Sequence, residues 1–403
     1  MAQDSKRDRG PWLWVGAMSA MLLLNLAPYS SYIAVLPLAQ EEWGLSSARA
    51  GAVYSAYLVG YALASLYVVP LPDRLGCRPV ILASMLVSVV GNLLFPLAAQ
   101  GFVSAVLLRL LPGIGMVGMY MSGLRLIGER FPQRGRGAAM GLYTSCAYAA
   151  NSISLALTGF LIPSLGWRES YLLLSAISSL SLVVGYLALR GVDDRFAVGS
   201  PRLRLSVLKD RAVRLVTLGY VAHSWELFLV RTWLPSFLVG VLLVRGYSRT
   251  DAIAVSAGIA ALMLAPGALG PLLGGTISDR LGRARAAALI LLVGGVLTLL
   301  LGWMGGLPWG LLIALGLLLG LFLAADSSIY HTAMVETADP SWLGSAMALN
   351  SFFGFVAGMA SPVASGWVLD RAPEGAAYGV VFGLGGAFAL MGFLGMLALA
   401  QRR

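Results

Sequence analysis

The sequence predicts an all-α membrane protein: twelve transmembrane helices arranged as two related six-helix bundles. Three observations predict it. Hydrophobic residues make up 58% of the 403 residues and charged residues 11%, a balance far outside the soluble norm. Apolar runs of about 20 residues, enough to cross a ~30 Å hydrocarbon core, recur from end to end with only short polar breaks. Two landmarks also repeat at nearly one offset: Asp73 in LPDRLGCR returns as Asp279 in ISDRLGRAR, and Gly137 in GAAMG returns as Gly344 in GSAMA. Such internal repetition argues for a duplicated bundle with a substrate site between the copies.

The apolar runs place spans at 12–37, 49–71, 80–98, 102–128, 137–162 and 168–189 in the first half, and at 213–243, 251–275, 286–304, 309–334, 343–369 and 376–400 in the second. The first run is too long, and too closely followed by others, for a cleaved signal peptide, so it is expected to remain in the mature chain. The longest break separates a bundle at 1–190 from a bundle at 213–403, with a cytoplasmic linker at 191–212. From Arg202 the linker reads RLRLSVLKDRAVRL, either a short basic helix on the inner leaflet or a solvated tether.

The net charge is +10, and its placement explains it. With the N-terminus inside, the outer loops hold only Arg49, Arg168, Arg245, Arg249 and Arg371. The helices hold Arg109, Arg125 and Arg231, and every other basic residue falls on the cytoplasmic side. That bias predicts both termini in the cytoplasm of a multi-pass inner-membrane protein. The basic excess then faces lipid headgroups, and no nucleic-acid partner is expected. Cys77 and Cys146, on different elements in a reducing or lipid setting, imply no disulfide framework.

The loops after helices two and eight carry a resemblance to the major facilitator superfamily, whose pattern there is GxxxDRxGRR. The first copy matches at Asp73, Arg74, Gly76 and Arg78, with Val69 and Cys77 departing from it. The second matches at Gly275, Asp279, Arg280, Gly282 and Arg283. Helix four adds RLLPGIG, similar to the family's RxxxGxG element. The likeness implies the twelve-helix fold, alternating access, and a part for Arg109 in proton transfer or conformational coupling. An Asp at a helix end beside Arg residues can form a charge-assisted network, so the resemblance implies a cytoplasmic gate at the eight matched charge and glycine positions Asp73, Arg74, Gly76, Arg78, Asp279, Arg280, Gly282 and Arg283. The plainer alternative is that these charges only stop and anchor the helices.

Ionisable residues inside a membrane are costly, so each is a functional hypothesis. Arg109 lies roughly 12 Å from the outer end of its helix, too deep for easy snorkelling. Helix seven reads GYVAHSWELFLVRTWLP, placing His223, Glu226 and Arg231 roughly 13, 18 and 25 Å into the slab. His223 and Glu226 are i and i+3, on one face, and could share or relay a proton; Arg231 lies about 140° around from Glu226. Burial penalises a carboxylate's charge, so Glu226 could exchange a proton near neutrality, as proton coupling requires. Helix ten supplies Asp326 as a second proton site or an Arg partner, and His331 at its inner mouth. Arg125 lies near the inner end of helix four, on the cavity wall or among headgroups. Tyr32, with Tyr29, Tyr54, Tyr57 and Tyr61, could line the cavity, or serve as packing.

A phosphate-binding Gly-Lys loop, a clustered His and Cys metal set and a nucleophile elbow are all missing from the sequence, so no enzyme activity, metal or cofactor is expected. The antiporter signature GPxxGG is missing from helix five. It occurs instead at Gly270–Gly275, where it reads as helix packing. The chain looks broadly like the nitrate and cyanate permease branch, but helix five lacks the nitrate signature, and helices two and eight lack an Arg pair. The expected function is proton-coupled uptake of a small organic anion by a monomeric secondary transporter, with protons and the lipid bilayer as its other partners. An exporter of amphipathic compounds and a non-transporting membrane receptor or assembly factor remain as alternatives.

Overall fold

The computed structural model describes residues 9–132, 135–192, 204–339, 342–373 and 375–401. The described residues form sixteen α-helices and three short 3-10 turns, with no strand among them. In the first half these are α1 (Arg9–Asn25), α2 (Ser31–Trp43), α3 (Ser47–Val68), the single turn α4 (Pro72–Leu75), α5 (Cys77–Ala98), α6 (Phe102–Arg130), α7 (Arg136–Leu165) and α8 (Trp167–Leu189). The second half comprises α9 (Arg211–Val244), α10 (Arg249–Leu264), α11 (Gly270–Leu281), α12 (Arg283–Leu301), α13 (Trp309–Ala325), α14 (Ser327–Thr337), α15 (Leu343–Leu369) and α16 (Ala377–Ala400).

Among the described residues, eleven helical runs are long and apolar enough to cross a membrane, and they are the second to twelfth expected spans. The first span differs, because α1 and α2 cover it with a break at Leu26–Ser30. Pro28 lies in the break, has no N–H to give, and disfavours helix before it. Backbone freed inside a bilayer needs a protein partner. Here α7 supplies it: Ser154 Oγ accepts from the Ser30 N–H at 2.9 Å, the Ser30 hydroxyl donates to Asn151 at 2.8 Å, and Ser31 meets Thr158 at 2.8 Å.

Two further spans are interrupted. A 3-10 turn at Ala265–Ala268, containing Pro266, separates α10 from α11. The tenth span breaks at Asp326, which sits between α13 and α14. The linker, which the sequence leaves open between a short surface helix and a solvated tether, is described only in part. Residues 193–203 lie outside the described ones, Leu205–Lys209 is one 3-10 turn, and Asp210 then caps α9 by accepting from the Ala212 and Val213 N–H groups.

Two compact units are present, one of Met1–Tyr32 with Ala56–Val198, the other of Ile33–Ser55 with Gly199–Arg403. The core of the second packs Val216, Ile290, Leu291, Tyr330 and Met396 from four helices. Glycines bring its backbones close: a Cβ on Gly274 would overlap the Ala325 carbonyl, and one on Gly320 the Met263 carbonyl. The string at Gly270–Gly275 is thus a packing surface, and it seats α11 on the residue before Asp326.

Candidate functional site

Among the described residues, four side chains of the Asp, Glu, His, Lys and Arg types are buried: Arg109, His223, Glu226 and Asp326. Arg109 belongs to the first unit and the other three to the second.

Arg109 projects from the third turn of α6 and is 1% exposed. Its helix can sit close to α3 and α5 because Gly113 backs onto the Tyr57 carbonyl and Gly115 onto the Ser84 carbonyl. The guanidinium lies 5.0 Å from the Tyr57 ring centre and 5.5 Å from that of Tyr32, inside cation–π range. Its Nη1 donates to the Tyr171 hydroxyl at 3.1 Å, and Tyr171 in turn donates to Asn92 Oδ1 at 3.3 Å. Nε is buried with no hydrogen-bond partner. No carboxylate pairs with Arg109 among the described residues. Tyr32, whose ring also meets Phe95 edge-on at 5.9 Å, is therefore part of the cage. Sequence reasoning missed Tyr171 and Asn92, which are ordinary residues on other helices.

In the second unit, His223 Nδ1 lies 2.7 Å from Asp326 Oδ1, and the Tyr330 hydroxyl donates to Asp326 Oδ2 at 2.6 Å. Glu226 Oε1 accepts from the Thr298 hydroxyl of α12 at 2.6 Å, and Gly294 lies against the same carboxyl. The expected link between His223 and Glu226 is thus replaced by two separate pairings. Both side chains do leave one face of α9, but His223 leans toward the α13–α14 joint and Glu226 toward α12, where better-placed partners wait. His331 is half-buried beside this cluster, its ring 5.4 Å from that of Tyr220, which itself stacks on His223 at 5.9 Å. The chain's two histidines therefore share one neighbourhood. Arg231 is half-buried further along α9.

Arg125, left open between cavity wall and headgroups, binds Asp73 at 2.6 Å. In the second copy Arg283 joins Asp279, donates to Ser278 Oγ at 2.6 Å and meets Glu336 at 3.0 Å. Gly76 and Gly282 have φ of +87° and +83°, where a side chain is strained, so the duplication is visible in the backbone itself. Arg74 and Arg280 are exposed, and Arg78 lies over the Tyr186 ring at 5.6 Å. No group of residues able to hold a metal ion occurs among the described residues.

A cavity of about 630 Å³ lies apart from these charges, lined by residues such as Phe237, Gly240, Leu307 and Tyr378. Arg245, the one cation among the described lining residues, already donates to the Gly305 and Leu307 carbonyls and covers the Trp309 ring.

The profile of the Major Facilitator Superfamily matches residues 18–308, most of the chain. The chain belongs to that superfamily. Among its relatives, a probable sulfoacetate transporter of Cupriavidus necator is 27% identical, covering 95% of this chain and 92% of that one. A hexuronate transporter of Bacillus subtilis is 23% identical over 93% and 90%. The inward-facing structure of a bacterial homologue of the human lysosomal transporter Spinster aligns with a TM-score of 0.72 at 15% identity, covering 97% of this chain and 95% of that one. As a major facilitator protein the chain is a multi-pass membrane transporter of small solutes and not an enzyme.

Proposed function

We propose that this transporter takes up a small organic anion across the bacterial inner membrane, with both termini in the cytoplasm, and couples that uptake to protons by alternating access. One observation carries the reading: Arg109 is a buried cation with an unpartnered Nε and no carboxylate beside it among the described residues. A desolvated anion needs fixed positive partners, and a guanidinium held by rings keeps its charge available. Relatives named for sulfoacetate and for hexuronate, both organic anions, support the same class. Because Tyr32 and Tyr57 cover Arg109, a solute reaches it when a ring moves aside, which a conformational cycle can supply. Glu226 and Asp326 provide the buried carboxyls that proton coupling needs. The Asp73–Arg125 and Asp279–Arg283–Glu336 networks serve as cytoplasmic latches that break and re-form during the cycle.

Uptake into proteoliposomes, measured over a panel of small sulfonates and carboxylates with and without an imposed pH gradient, tests this. Arg109→Gln should abolish both accumulation and solute exchange. Glu226→Gln should abolish gradient-driven accumulation and leave exchange intact. If no anion in the panel moves, the anion reading falls and a receptor role gains; if Glu226→Gln still accumulates solute, Glu226 is not the coupling carboxyl.

A further inference from the structure

The ends of four helices of the second unit meet around the cavity of about 630 Å³. Helix α9 ends there at Val244 and α12 at Leu301, while α13 begins at Trp309 and α16 at Ala377. The ends of spanning helices mark the headgroup level of a bilayer, the outer leaflet in the topology proposed above. Exposed Trp303 and Tyr247 and half-buried Trp309 accompany these ends, as interfacial aromatic residues do. Along α9 the lining residues Phe237, Gly240, Val241 and Val244 follow i, i+3, i+4 and i+7, so they form one apolar stripe. Exposure rises along it from 5% at Phe237 to 90% at Val244. At the deep end the Phe237 ring meets those of Tyr378 and Phe382 edge-on at 5.6 and 5.7 Å. The cavity is therefore an apolar slot that opens on the surface beside Val244.

Two kinds of glycine shape the slot. A Cβ on Gly302 would run into the Tyr378 carbonyl and one on Gly379 into the Trp303 ring, so these two bring α12 and α16 together. A Cβ on Gly240 or Gly306 meets nothing within 4 Å. Glycine weakens a helix interior relative to alanine, and no neighbour requires it at 240, so what Gly240 contributes is room. The cation at the mouth is held in place but not neutralised. The Arg245 guanidinium lies 4.2 Å from the Trp309 ring centre, and its Nη2 donates to the Gly305 carbonyl at 2.9 Å and the Leu307 carbonyl at 2.6 Å. Among the described residues it forms no ion pair, and Nε and Nη1 have no acceptor. A guanidinium stays charged and offers a planar fork that matches phosphate oxygens.

We propose that this cavity binds one membrane phospholipid, with its phosphodiester on the free edge of Arg245 and one acyl chain entering the slot past Val244 and Gly240 toward Phe237. The charge complementarity is specific to such a molecule: a fixed cation at headgroup level, continuous with an apolar slot, fits an anion that carries its own chain. Sites for small ligands run from about 300 to 1,000 Å³, so the slot takes the glycerol end and the upper part of one chain while the rest of the lipid stays in the bilayer. The lipid joins α9, α12 and α16 at one end and lies apart from Arg109, Glu226 and Asp326, so it is a resident of the second unit and not the transported solute.

Native mass spectrometry of the full-length protein, stripped of lipid in detergent and titrated with dioleoyl phosphatidylglycerol, tests this. Wild type should take up one lipid in a saturable step that precedes weaker binding. Gly240→Leu fills the slot and should abolish that step, with an unfolding temperature within a few degrees of wild type. Arg245→Gln should weaken it about tenfold, the loss expected for one charge-assisted contact. Gly275→Ala, equally open but away from the cavity, should bind as wild type does. Should Gly240→Leu fail to fold, Gly306→Leu closes the same space from the turn at Met304–Gly306. Wild-type affinity in a folded leucine variant or in Arg245→Gln overturns the proposal. Two ligands test it on the wild-type protein alone. Glycerol 3-phosphate that displaces the lipid at equal concentration would make this a site for a soluble anion, and dioleoylglycerol that binds as tightly as the phospholipid would reduce Arg245 to a tie for the turn; either result overturns the proposal.

Discussion

At the scale of single residues, Arg109 and Asp326 are both deeply buried side chains, yet they differ in what removing them exposes. Asp326 is bound by two donors, so Asp326→Ala strands the His223 imidazole and the Tyr330 hydroxyl in a closed core. Breaking a buried pair from one side costs about 3–5 kcal/mol, and a thermal unfolding assay should register a large loss. Arg109 leaves no carboxylate behind among the described residues, only the Tyr32 and Tyr57 rings and the Tyr171 hydroxyl. Arg109→Met removes an uncompensated charge and fills much of its volume, so unfolding temperature should stay within a few degrees of wild type or rise while transport is lost. A loss for Arg109→Met as large as that for Asp326→Ala would show that the cage is structural and would remove Arg109 from the transport reading.

Among the elements, the joint between α13 and α14 is the one on which most depends, because the buried cluster of His223, Asp326 and Tyr330 hangs from it. Gly274 and Gly275 are neighbours on α11 with opposite surroundings: a Cβ on Gly274 would run into the Ala325 carbonyl, whereas one on Gly275 meets nothing within 4 Å. Gly274→Val should therefore push α11 off the joint and abolish gradient-driven uptake with a fall in folded yield, and Gly275→Ala should leave both unchanged; equal behaviour of the pair would refute the packing role. The same elements show what could be learned from sequence. Spans and their order follow from apolar run length, and Arg109, His223, Glu226 and Asp326 stand out because a charge in an apolar run is rare. Their partners were hidden. Tyr171, Asn92, Thr298 and Tyr330 are common residue types on other helices, and a face count along α9 could place His223 and Glu226 together but not show that each leans toward a different neighbour. Pro28 was visible, but whether a proline kinks a helix or ends it depends on acceptors such as Asn151 and Ser154, far along the chain.

For the whole molecule, the two compact units are not the two sequence halves, since Ile33–Ser55 belongs with Gly199–Arg403. Within that unit Asp370, just past α15, caps the start of α3: its oxygens accept from the Ser47 N–H at 2.7 Å and the Ala48 N–H at 3.0 Å. A carboxylate at a helix N-terminus is favoured by orphan N–H groups and the helix dipole. Partial burial pushes the Asp370 carboxyl up, but the Ala48 and Ser47 N–H groups and the Ser47 and Ser46 hydroxyls outweigh it and hold the carboxyl below its usual range. A group depressed in the folded state stabilises the fold above its unfolded value and loses that contribution as pH falls through the folded one. Asp370→Asn should therefore lower the unfolding temperature at neutral pH, and the gap to wild type should narrow as acid protonates Asp370 in the native protein. Measured from neutral pH down into the acid range, a gap that stays constant would mean that the cap contributes through shape alone and that its charge does not hold Ile33–Ser55 to the rest of the unit.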